Sequence, residues 1–180
     1  IVHDKQLFEV LFKPATQAFL TEEEIAFVEA TVPMTAFLDE GEVNLAQIRA
    51  NKDEWIIKPT DHYGADNVYA GCEQTQEAWE GLVDRYANGA AGDPFIVQRY
   101  IRPFKTDTLP PDTGIDDLPD GAVESEPVPY NNLNGLYLYN GHFQGVFSRL
   151  GPYPTISKLN GGMTAATIWV DCDDPDGLVL

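Results

Sequence analysis

Residues 55–71 read WIIKPTDHYGADNVYAG. Trp55-Ile56-Ile57 has the aromatic and β-branched character of a buried strand. Lys58-Pro59 ends it, because proline has no amide hydrogen with which to continue a ladder. A polar loop containing Gly64 follows, and the chain turns apolar again at Val68. A strand that delivers a lysine into a glycine-bearing loop is either an ordinary turn with a solvated charge or one wall of a phosphate site.

Upstream, Leu7, Phe8, Leu11 and Phe12 share one face of a helix expected over residues 4–13, with Asp4 placed to cap it. LTEEEIAFVEATVP (20–33) carries a capping box, Thr21 with Glu24, and stops at Pro33. MTAFL (34–38) reads as a short strand and NLAQIRANK (44–52) as a helix. Downstream, TQEAWEGLVDRYANG (75–89) spaces Trp79, Leu82, Val83 and Tyr86 for one helical face and puts Gly89 where a C-terminal cap belongs. PFIVQRYI (94–101) is the next strand. Residues 102–130, rich in Pro, Asp and Gly, read as a long acidic loop, a flap or an insertion. LNGLYLYNGHFQGVFSRL (133–150) is two strands around Asn140-Gly141, a strong hairpin signal, and MTAATIWVD (163–171) is a last strand. The sum is an α+β fold, a mainly antiparallel sheet with flanking helices. It forms one unit over 1–180, in which 1–100, the loop at 102–130 and a β-rich remainder at 131–180 follow in order.

Composition narrows the function. The chain has 180 residues and a formal charge of -18, a field that repels nucleic acid and anionic membranes. No apolar run is long enough to span a bilayer. Cys72 and Cys172 show no metal-ligand or C-x-x-C spacing, which points to a reducing, cytoplasmic setting. The start lacks a methionine and falls inside an apparent helix, so a piece of a longer protein is expected. His3, His62 and His142 suit surface or capping positions, and Trp55, Trp79 and Trp169 suit core packing. DCDDPDG (171–177) imitates a calcium loop, but Pro175 stands where an oxygen ligand is needed; an acidic turn is the simpler reading. In GPYPTISKLNGGM (151–163), Lys158, Gly161 and Gly162 fit a connector better than an anion-accepting turn beside Arg149.

A nucleoside triphosphate needs a cation on a rigid strand, backbone amides in a covering loop, and a strand whose edge reads the base. Lys58 meets the first demand and the loop from Asp61 to Asn67 the second. Gln98, with the backbone of Arg99 to Ile101, meets the third. Four motifs in this order, DKQLFEVL (4–11), VPMT (32–35), WIIKPTDHYGADNVYAG and FIVQRYI (95–101), resemble the circularly permuted ATP-grasp superfamily, in particular glutathionylspermidine-synthase-like proteins. The resemblance runs from Asp4 to about Val170. It implies an ATP-grasp-like fold of two small lobes around a cleft, and ATP as cofactor. Lys5 and Lys58 would sit on the phosphates, with Gly64 in the covering loop. Gln98, Arg99 and Ile101 would lie at adenine, and Arg149 would approach the phosphates as a catalytic group beside Lys58. It further implies Mg2+ held by residues upstream of this chain. The reaction would be ligation of a small-molecule or peptide carboxylate to an amine through an acyl phosphate, with this portion inactive by itself. Compared with the family loop, Ala65, Asp66 and Asn67 are unusual, and an anion there requires Asp66 to point outward. The alternative is a non-catalytic scaffold or interaction domain of the same fold that has lost ATP.

Overall fold

The computed structural model describes residues 3–109 and 126–167. Its architecture is α+β, with two four-stranded antiparallel sheets and a few helices. The first sheet contains β1 (Thr35–Phe37), β2 (Trp55–Pro59), β3 (Tyr69–Ala70) and β4 (Phe95–Arg99) in the order β1-β4-β2-β3. The central pair sets Ile57 opposite Val97, Ile56 opposite Gln98 and Lys58 opposite Ile96. Side chains alternate across a sheet, so Ile57 and Val97 face one way while Ile56, Lys58 and Gln98 face the other.

The Ile57 face is the core. It packs with Trp79, Val83 and Tyr86 of α5 (Gln76–Tyr86), with Ile48 of α4 (Leu45–Ala50), and with Leu38. Trp79 is fully buried, and its indole N–H donates to the Ile48 carbonyl at 2.9 Å, which satisfies its one polar atom. Both helices start where the sequence places a cap: Asn44 accepts from the Gln47 amide and Thr75 from the Ala78 amide. α3 (Glu22–Thr31) begins with the full Thr21/Glu24 capping box.

The second sheet is β5 (Lys105–Thr108), β6 (Val128–Tyr139), β7 (His142–Gly151) and β8 (Met163–Ala165), in that order. β6 and β7 are the expected hairpin. Asn140 (φ 47°) and Gly141 (φ 75°) are both left-handed, as a two-residue turn matched to strand twist requires. A register shift between Tyr137 and Leu138 bulges the pair near the tip.

Three expectations change. The helix expected over 4–13 is the shorter α1 (Gln6–Val10), and a separate short helix, α2 (Pro14–Gln17), follows it. Pro14 excludes the helical conformation at the residue before it, and Lys13 is extended with ψ 135°. The face expected to be buried is also displaced: Leu7 and Phe8 are exposed, and Glu9 is the buried residue, its carboxylate 2.6 Å from the Lys13 ammonium. The stretch read as a loop at 102–130 contains β5 and the start of β6. Lys105-Thr-Asp-Thr has no apolar alternation, so this strand forms through its pairing with β6. Residues 110–125 lie outside the described residues, as do Trp169, Cys172 and the 171–177 segment. Among the described residues no helix is long and apolar enough to cross a membrane.

Candidate functional site

On the face of the first sheet opposite the core, polar side chains form a diagonal across three adjacent strands. Thr35 of β1 lies opposite Gln98 of β4, and Lys58 of β2 is the diagonal neighbour of Gln98. The Lys58 ammonium donates to Gln98 Oε1 at 2.7 Å, and Gln98 Nε2 donates to Thr35 Oγ1 at 2.8 Å. The Thr35 hydroxyl donates to the Pro33 carbonyl, also at 2.8 Å. Thr35 and Gln98 are both buried.

Lys5, at the start of α1, lies near the exit of the lysine strand. Its backbone amide donates to the Thr60 carbonyl at 2.9 Å, just beyond the end of β2, and its ammonium donates to the His62 carbonyl at 2.9 Å. The start of α1 is thereby pinned to the exit of the lysine strand. Burial pushes the Lys58 pKa down to about 8, and the charge of Lys5 adds to the shift. Among the described residues neither lysine forms an ion pair with a carboxylate, whereas Lys13, Lys52, Arg49 and Arg99 each do. In a chain with 29 acidic residues and 11 basic ones, two neighbouring cations without a carboxylate leave positive potential open to an outside anion.

The stripe opens on a cavity of about 230 Å³ between the two sheets. Ile56, Lys58, Gln98 and the segment from Arg99 to Ile101 line one side, and Asn132, Leu133, Pro154 and Ile156 the other. Its lining is mostly apolar with a few polar groups at one end, the usual chemistry of a small-ligand pocket, although it is smaller than the ~300–1,000 Å³ of a drug-sized site. Arg99 is held at the rim by Glu54 (2.8 Å) and lies over the Trp55 ring. Among the described residues, Ile101, which lines the cavity, uses neither its N–H nor its C=O in a backbone hydrogen bond.

The loop with Gly64 is organised differently from an open phosphate cradle. Gly64 (φ 65°), Ala65 (φ 65°) and Asn67 (φ 52°) are left-handed. Alanine and asparagine adopt this conformation less readily than glycine. The Asp66 amide donates to the Tyr63 carbonyl and the Val68 amide to the Ala65 carbonyl. The Asp66 carboxylate is exposed and contacts His62 Nδ1 at 3.1 Å and Asn67 Nδ2 at 3.2 Å. His3 contacts Asp61 at 2.6 Å and stacks on Tyr63.

Of the residues singled out in the sequence, Lys58, Gln98, Arg99 and Ile101 line one cavity, Lys5 is outside its lining but close enough for its charge to act on Lys58, and Gly64 lies in the loop after β2. Arg149 is apart from them. It is on β7, above the Phe147 ring, and does not line the cavity, although its cross-strand partner Leu133 does. In the 151–163 connector, the Gly162 amide is spent on the Ser157 carbonyl and the Gly161 amide on Lys158, which agrees with a connector rather than an anion turn. Sequence reasoning missed Thr35 as a site residue, though the VPMT motif contains it, and it missed Asn132 and Ile156, whose segments carry no distinguishing pattern. Among the described residues no group of three or more His, Cys, Asp or Glu side chains is placed to hold a metal ion. Comparison with protein-family profiles, curated proteins and solved structures found no match to this chain.

Proposed function

We propose that the cavity beside Lys58 binds a nucleoside triphosphate, ATP in the first instance, and that the chain is the nucleotide-binding portion of an ATP-grasp-type carboxylate–amine ligase. The observation that carries this reading is a buried Lys58 ammonium, without a carboxylate partner among the described residues, lining a largely apolar cavity, with Lys5 close enough for its charge to act on it. The two lysines neutralise phosphate charge, and the cavity between the sheets takes the base against the backbone of Arg99 to Ile101. Since the Gln98 amide is engaged at both ends, its part is to hold Lys58, and the free backbone groups of Ile101 are the base-reading atoms. The chemistry that follows from an ATP-dependent ligation is transfer of phosphate to a carboxylate oxygen, then attack of an amine on the carbonyl carbon with release of phosphate. Lys58 and Lys5 stabilise the charge that shifts among the phosphate oxygens. Arg149 would take part only if β7 moved toward the cavity.

The described residues do not fit a magnesium site, so no step is assigned to that ion here. The carboxylate and amine substrates are small molecules or peptides, and the acidic surface disfavours nucleic acid and anionic membranes as partners. A half-buried free thiol at Cys72 is compatible with a reducing cytoplasmic location.

The loop favours a second reading. Ala65 at φ 65° and the amides of Asp66 and Val68, both committed within the loop, leave few backbone donors for phosphate. A non-catalytic scaffold with this fold and an eroded loop would look the same. Isothermal titration with ATP, with and without magnesium, separates the two. The ligase reading expects saturable heat that weakens at least about tenfold in Lys58→Ala, the scale of one charge-assisted contact. Absence of saturable binding in both proteins would leave the scaffold reading.

A further inference from the structure

We propose that Thr35 is a positioning residue of this site: its hydroxyl fixes the Gln98 amide so that the amide oxygen faces Lys58. The claim rests on the nucleotide reading for its functional consequence and on geometry alone for its structural content.

Two constraints reach Gln98 from opposite ends. An ammonium has three donors and no acceptor, so the Gln98 atom 2.7 Å from Lys58 Nζ is the oxygen. A threonine hydroxyl has one hydrogen, and here it points at the Pro33 carbonyl, 2.8 Å away. The lone pairs of Thr35 Oγ1 are then left to accept from Gln98 Nε2 at 2.8 Å. Both ends demand the same amide orientation. If Lys58 loses its proton, its end of the constraint weakens, because a neutral amine accepts as well as donates. The Thr35 end does not change with pH. The orientation is therefore anchored in the backbone at Pro33 and passed through two buried side chains to the lysine.

The choice of a neutral acceptor matters for an anion site. A carboxylate at position 98 would hold Lys58 equally well but would cancel its charge. An amide oxygen fixes the ammonium, leaves the charge intact and leaves further N–H donors for a ligand. A flipped amide would instead set an NH2 group against an ammonium inside the protein, where an unsatisfied or repelled donor is costly. Thr35 opposes the flip from the far end, whatever the charge on Lys58. The other charged or titratable groups around Lys58 are Lys5 at the start of α1, which opposes its charge, and Arg99 and Tyr100 on the cavity wall.

The test compares wild type, Thr35→Val and Thr35→Ser. Valine keeps the shape and removes the hydroxyl, while serine restores it. Lys58 titration is followed by NMR at its ε-carbon, and ATP affinity is measured on the same samples. The expected result is a Lys58 midpoint at least about half a pH unit lower in the valine variant, with ATP binding weakened about fivefold or more, and with serine close to wild type in both. A valine variant that folds and titrates like wild type overturns the proposal, as does a serine variant as impaired as valine. In case valine disturbs folding, wild type supplies an independent readout: Gln98 amide protons should show cross-relaxation with Thr35 and not with the Lys58 ε-protons, and the reverse pattern also overturns the proposal. Failure of wild type to bind ATP would sink the nucleotide reading while leaving the titration and cross-relaxation to judge Thr35.

Discussion

Lys58 is charged at neutral pH in spite of its surroundings. Burial and the nearby Lys5 bring its pKa from 10.5 to about 8, so the native state releases this proton at lower pH than the unfolded chain does. Between those two values the unfolded state binds more protons, and native stability rises with pH across that window. Urea unfolding should show this rise between about pH 8 and 10, on the order of 1–3 kcal/mol, and Lys58→Met should be flat over the same range; a parallel rise in the variant would place its origin elsewhere. Anion binding has the opposite dependence because it needs the ammonium form. If the cavity binds ATP as proposed, its affinity should be steady near pH 7 and fall as pH passes about 8, a trend absent from the weakened binding of Lys58→Met. A different residue tests packing. A Cβ added at Gly71 would lie 2.0 Å from the Lys52 carbonyl oxygen, a backbone atom that cannot rotate away, and the turn at 71–73 packs against the one at 52–54 that introduces β2. Gly71→Ala should therefore lower stability by more than about 2 kcal/mol in urea unfolding, and a smaller loss would mean that the two turns separate easily.

Elements with a local signal were legible, and those made by long-range pairing were not. The Thr21/Glu24 box and the Asn140-Gly141 turn each depend on a few consecutive residues, and both form as the sequence dictates. Thr21 Oγ1 accepts from the Glu24 amide at 3.2 Å while the Glu24 carboxylate accepts from the Thr21 amide at 2.8 Å. Thr21→Ala removes the side-chain half of that exchange and should cost α3 about 1 kcal/mol, read as a lower thermal midpoint, with Thr21→Ser near wild type. The α1 region misled because its i, i+3, i+4 pattern is helical, yet the side of the helix that meets β1 is set by where the chain returns after Pro33. Burial falls on Glu9, whose carboxylate pairs with the Lys13 ammonium, a cation that Glu42 shares at 2.7 Å. β5 misled for the converse reason, since its residues have no pattern of their own. In the site, the place of Lys58 at the exit of its strand was legible in the sequence. The Gln98–Thr35 contact was not, because strand register, which no short stretch specifies, places them side by side.

At the scale of the whole molecule, charge and apolar surface are segregated. The chain carries -18 overall, yet from Asn131 to Ser148 there is no Asp, Glu, Lys or Arg. That stretch is the long hairpin, and Leu136, Tyr137, Leu138, Tyr139 and Phe143 stand exposed near its tip. The β6–β7 pairing shows why both faces are affected. Leu136 and Leu138 lie opposite Val146 and Phe143 on one side, and Tyr137 packs near Phe147 on the other. β5 pairs only with Val128 to Asn131, and β8 only with Ser148 to Leu150, so among the described residues no strand covers either edge of the tip. An uncovered, uncharged strand edge with apolar faces is a site of self-association. What opposes it is repulsion between acidic molecules, which acts over a Debye length of about 10 Å at 0.1 M salt and about 3 Å at 1 M. Salt should thus have a sign opposite to its effect on a chain held together by ion pairs: light scattering from concentrated protein should increase as sodium chloride is raised. Leu136→Lys combined with Leu138→Lys should abolish that increase while changing unfolding free energy by no more than about 0.5 kcal/mol per site, as expected for exposed positions. Scattering that rises equally in the double variant would show that association proceeds through another surface, and a large loss of stability would show that the hairpin tip is covered in solution.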